Sequence, residues 1–203
     1  GKGVYNKIMA INQRDFENTI KKFRAIEDTR GSLWERARNL LLKGYETEAY
    51  ILILATWNFA DFRYFLKNFD LYKFENIIKK QLNPIFNKVK NKTFENTDFK
   101  NKNLQEDIKL IYNELKKIVR QTGASKIMAL KNQNLFVMWD TEIRRMYKID
   151  SKAIPDDYIE FLEKMKNEFK QIKYRNKKIP FAKVIDEYNY VKAEERKKGR
   201  YSE

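Results

Sequence analysis

The 203-residue chain contains no cysteine and no histidine. Without thiols it can form no disulfide, no thiolate zinc site and no cysteine-held iron–sulfur cluster. Without imidazole it lacks the commonest general base and metal ligand, which excludes a Ser-His-Asp arrangement. Any catalysis must come from lysine, carboxylate, hydroxyl or backbone groups. A thiol-free composition is compatible with a reducing cytoplasm. Glycine (6) and proline (3) are scarce, and because tight turns depend on them, a many-stranded fold is disfavoured and helices are expected. Long apolar runs are missing as well. The most apolar stretch, 49–60, is interrupted by Thr56 and Asn58 and is too short to span a bilayer, and no stretch reads as a secretory leader. The expectation is a soluble, cytoplasmic protein.

What the chain does have is positive charge: 43 Lys and Arg against 28 Asp and Glu, a formal excess of +15. Such an excess favours a polyanionic partner, nucleic acid ahead of an anionic membrane surface. The basic residues are scattered and not gathered on one amphipathic face, which weighs against the membrane. A merely soluble basic protein is the plain alternative. Hydrophobic residues make up 42% of the chain, with 14 Phe, 12 Tyr and 3 Trp, too apolar for a disordered segment. The length suits one helical domain over 1–203, with possible sub-lobes at about 12–102 and 103–203.

Residues 1–11 read as a loose start. Phe16, Ile20, Phe23 and Ile26 then recur at helical spacing. Ser32-Leu33-Trp34-Glu35 has the form of a capping box opening a helix that Gly44 closes. A strongly apolar helix is expected from about Thr47 to Lys67. Its second half, with Trp57 and Phe62, suits either a core or a base-stacking surface. Asp70 can cap a helix to about Asn91 with a break at Pro84. The stretch 91–102 has no period and reads as an exposed loop. Asn103 caps the next helix, which ends near Gly123. Pro155 opens a helix to about Tyr174, and a last helix starts at Pro180. With no credible strand, the architecture is all-α, with eight or nine helices.

The richest stretch is 122–146, TGASKIMALKNQNLFVMWDTEIRRM. Thr122-Gly123-Ala124-Ser125 reads as a turn into a helix, whose backbone N–H groups can hold a phosphate. Lys126 follows at the start of an apolar turn. Partly desolvated and close to other cations, such a lysine can lose its proton and act as a nucleophile; alternatively it is an ordinary surface lysine. The apolar run 135–139, ending in Trp139, delivers Asp140 to the edge of the core. Asp140 suits an N-cap, a carboxylate supporting positive charge on a sugar, or both. Arg120, Lys131, Arg144, Arg145 and Lys148 would flank the site for phosphate contacts, or form a solvated face.

This segment resembles the helix-hairpin-helix DNA glycosylase superfamily, the base-excision enzymes related to endonuclease III and the 8-oxoguanine glycosylases. The resemblance rests on Gly123 and Lys126 in the first half, and on Asp140, Thr141, Ile143 and Arg145 in the second. It implies an all-helical fold that binds double-stranded DNA and flips a damaged or mismatched base out of the duplex. It also implies Lys126 as a nucleophile forming a Schiff base with the sugar, assisted by Asp140. Gly123, Ser125, Arg120, Lys131, Arg144, Arg145 and Lys148 would contact the nucleic acid. Trp57, Phe62 and Trp139 are the stacking candidates. No cofactor, metal or iron–sulfur cluster is expected. The alternative is a helical nucleic-acid-binding protein without the chemistry.

Overall fold

The computed structural model describes residues 10–26 and 29–201, and most of the expected loose start lies outside them. Every regular element among the described residues is helical. Asn12 caps α1 (Gln13–Arg24), its side chain accepting the Asp15 N–H at 2.8 Å. α1 lies against the last helix, α10 (Phe181–Arg200), where Asp15 accepts from the Tyr188 hydroxyl (2.7 Å) and the Lys192 ammonium (2.9 Å). The first and last described helices are therefore packed together.

α2 (Thr29–Leu42) takes in the predicted capping box as ordinary helix, because it extends a further turn towards the N-terminus. That turn carries Arg30 and Gly31. Gly44 closes α2 at φ +89, with the N–H groups of Gly44 and Tyr45 returning to the carbonyls of Leu41 and Leu40. Only glycine takes that conformation without strain.

The helix expected over 47–67 is two: α3 (Glu46–Trp57) and α4 (Phe59–Leu66), broken at Asn58. Ending α3 there frees the Trp57 carbonyl from the helical ladder, and it accepts from the Lys126 ammonium. Asp70 caps α5 (Leu71–Ile77), which passes through a π turn, Ile78–Leu82, into α6 (Asn83–Val89). Pro84 has no N–H to give the ladder, and the wider turn precedes it. Counting 71–89 as one continuous helix, the described residues form nine. The following loop, 91–102, is exposed at most positions as the sequence suggested, but three of its side chains anchor it to the core. Phe94, Thr97 and Phe99 are buried, with the Phe94 ring 5.8 Å from both Phe99 and Phe181.

α7 (Lys102–Lys131) is the axis of the fold. Asn101, not Asn103, caps it, accepting the Leu104 N–H at 3.0 Å. It does not end near Gly123 but breaks at Arg120 (φ 63, ψ −176) and runs on to Lys131. Residues 122–130 are all buried. A short irregular run, 136–139, then leads to Asp140 and α8 (Thr141–Met146), which Lys148 closes in the left-handed region at φ 56. α9 (Pro155–Glu168) stacks its Tyr158 on Tyr112 of α7 at 5.0 Å, and it stops short of Tyr174. One apolar cluster extends from Phe16 to Ala193 across both halves of the chain. No described helix is long and apolar enough to cross a membrane.

Candidate functional site

A cavity of about 310 Å3 opens between α1, α2, α3, α7, α8 and α10. Lys126 and Asp140 both line it, with Trp57 and Tyr190 as aromatic walls. Lys126 is 9% exposed; its ammonium donates to the Trp57 carbonyl and lies 5.9 Å from the Trp57 ring. Burial lowers its pKa, against the pull of the Asp140 and Asp186 carboxylates, which favour the charged form. A lysine in that state reaches the free amine more readily than one in water.

Asp140 is held rigidly. Its carboxylate accepts the Ile143 N–H at 2.8 Å as the N-cap of α8, while the side chain remains half-buried at the cavity. The approach to it is fixed by Ser125, whose hydroxyl accepts the Trp139 N–H at 3.1 Å and contacts the Trp139 carbonyl at 3.2 Å. That pair ties the run before Asp140 to the turn before Lys126. The two residues singled out in the sequence thus share one cavity although they lie 14 positions apart.

A third ionisable group was missed. Asp186 of α10 lines the same cavity and is 6% exposed. Its nearest cation is Lys183 at 3.7 Å. The Lys183 ammonium sits among three rings, 5.9 Å from Phe23, 5.3 Å from Trp34 and 5.2 Å from Trp57. Burial lifts the Asp186 pKa to about 6, opposed by Lys183 and Lys126 and reinforced by Asp140 and Glu187. The signal available in the sequence was a carboxylate between Val184-Ile185 and Tyr188, three residues after a lysine on an apolar helix. At the rim, Arg30 donates to the Tyr190 hydroxyl at 2.9 Å and lies 5.5 Å above that ring.

The other expected site residues separate into two groups. Gly123 and Ser125 are enclosed inside α7, so the expected turn of exposed N–H groups is absent there. The cause is close packing: a β-carbon at Gly123 would meet Val119 at 3.0 Å and Leu54 at 3.1 Å. Arg144 is also buried, spanning the hydroxyls of Thr122 and Thr141 (3.2 Å each), with its guanidinium 5.2 Å from the Trp139 ring. Lys131 is paired with Glu46 at 3.0 Å, away from the cavity. Trp139 is 1% exposed, packed edge-on to Tyr158 at 5.0 Å, and Phe62 packs on the core outside the cavity. At 1% exposure Trp139 offers no free face for stacking.

Arg120, Arg145 and Lys148 are exposed. Arg120 pairs with Asp61 (3.1 Å) and Arg145 with Glu142 (2.9 Å), whereas Lys148 makes no ion pair among the described residues. Of the three stacking candidates, Trp57 and Trp139 line the cavity, Trp57 half-buried and Trp139 almost fully buried, and Phe62 does not. Among the described residues, no cluster of three acidic side chains is placed to hold a metal ion. No known protein family, curated protein or solved structure matches this chain.

Proposed function

We propose that the chain is a DNA glycosylase with Schiff-base lyase activity, acting on a damaged or mismatched base extruded from a duplex. The observation that carries this reading is the desolvated Lys126 amine sharing one cavity with the fixed Asp140 carboxylate. At about 310 Å3 the cavity is at the small end for ligand sites, roughly 300–1,000 Å3. It suits a single flipped nucleobase and its sugar, and it is too small for a stacked dinucleotide. The Trp57 and Tyr190 rings offer apolar faces to a base. Lys126 attacks the anomeric carbon, Asp140 supports the positive charge that develops on the sugar, and the resulting adduct opens to the Schiff base. The formal charge of +15 supplies the long-range attraction to the duplex.

Borohydride reduction tests the reading, because it converts a Schiff base into a permanent protein–DNA crosslink. Wild-type protein mixed with an abasic or lesion-containing duplex is expected to give a crosslinked band, and Lys126→Ala and Lys126→Gln are expected to give none. Undiminished crosslinking in both variants removes Lys126 from the mechanism. Salt-sensitive duplex binding without crosslinking or base release would leave a non-catalytic helical nucleic-acid-binding protein.

A further inference from the structure

Asp186 has no part in the reaction as written above, yet it is the most enclosed carboxylate in the cavity. It is 6% exposed, and its oxygens accept no hydrogen bond from any described residue. The one ion pair it has, at 3.7 Å, is to a lysine whose ammonium is already surrounded by Phe23, Trp34 and Trp57. Asp140, by contrast, is occupied as a helix cap. Two of the carboxylates lining the cavity, Asp140 tied to backbone and Asp186 buried beside Lys183 without a hydrogen bond from a described residue, are suited to different tasks.

Resting on the glycosylase reading, we propose that Asp186 is the general acid that protonates the departing base, while Asp140 remains the carboxylate beside the sugar. The Lys126 lone pair forms the bond from Nζ to the anomeric carbon as the bond from that carbon to the base breaks. The base leaves with the bonding electrons and takes the Asp186 proton. The new secondary ammonium on Nζ then returns a proton to Asp186, so the acid is restored and charge balances. Burial supports the assignment, since it lets Asp186 hold a proton up to about pH 6. The groups acting on it are Lys183 and Glu187 on α10, Lys126 on α7 and Asp140 at α8. Lys126 in turn feels Arg30 of α2 and Asp61 of α4.

The two half-reactions separate this role from a structural one, because a preformed abasic site has no base to protonate. Single-turnover base release from duplexes carrying 8-oxoguanine, hypoxanthine or uracil is measured beside borohydride trapping on an abasic duplex. In Asp186→Asn, release is expected to fall by about 10²-fold or more, and trapping by less than about tenfold. Above about pH 6 wild-type release should rise less with pH than that of Asp186→Asn, because in the wild type loss of the Asp186 acid form offsets the gain in free Lys126 amine, and that offset is missing from the variant. Equal release by variant and wild type, or a parallel loss of both activities, overturns the proposal. Wild-type protein that traps on abasic DNA yet releases none of the three bases overturns it alone. Wild-type protein that does neither overturns the glycosylase reading.

Discussion

Asp140 serves two physical ends with one side chain, and they can be separated. As the N-cap it satisfies the Ile143 N–H at 2.8 Å, an interaction that alanine cannot replace and asparagine can. As a cavity carboxylate it contributes negative charge beside Lys126, which asparagine cannot supply. Asp140→Ala is therefore expected to lose about 1 kcal/mol of stability in urea unfolding. Asp140→Asn should unfold close to wild type while losing most of its base release. If Asp140→Asn is as unstable as the alanine variant, the carboxylate charge and not the cap stabilises the fold at this position. Asp186 presents the opposite situation, a carboxylate with no structural hydrogen bond to lose.

At the scale of elements, the site depends on where two helices break. α3 stops at Trp57, and the released carbonyl meets the Lys126 ammonium; α7 breaks at Arg120, which turns the Thr122–Leu130 stretch into the core. The break at Asn58 was not legible as a helix end, and the one at Arg120 was expected three residues later, near Gly123. Asn58 and Arg120 are not helix breakers by type, so tertiary packing decides where each break falls. What was legible had a local cause: the caps at Asp70 and Asp140, the Gly44 closure, and the Pro155 and Pro180 starts. Lys126 and Asp140 were readable because they are close in sequence. Asp186 was not, because its cavity is assembled from residues up to about 170 positions apart, and the charged sequence of α10 does not reveal which face meets the cavity.

Gly123 shows the same override in a single position. Its glycine was expected to serve an exposed phosphate-binding turn, but it is the close-approach point between α7 and α3. Gly123→Ala would force a β-carbon against Val119 and Leu54 at 3.0–3.1 Å. Overpacking of this kind costs about 1–3 kcal/mol, and a lowered denaturation midpoint at unchanged slope is the expected result. Wild-type stability in that variant would mean that α3 yields easily, and that the Trp57 carbonyl is not held in place by this contact.

For the whole molecule, the net charge of +15 hides how few of the cations around the site are free. Lys131, Arg120 and Arg145 are paired with carboxylates and Arg144 is buried, leaving Lys148 as the unpaired exposed cation among those expected to contact phosphate. On the proposed reading, attraction to a duplex would come mainly from the summed field and from displacing counterions, not from a dedicated row of arginines. Binding to an undamaged duplex should weaken steeply with salt. Contacts to about six phosphates would reduce affinity about 10³-fold between about 50 and 200 mM monovalent salt. Lys148→Ala should lower the slope of log K against log salt by about one while affecting all sequences alike. A flat salt profile would mean that the charge is dispersed too evenly to hold a polyanion, and no reading that places DNA at this cavity survives that result.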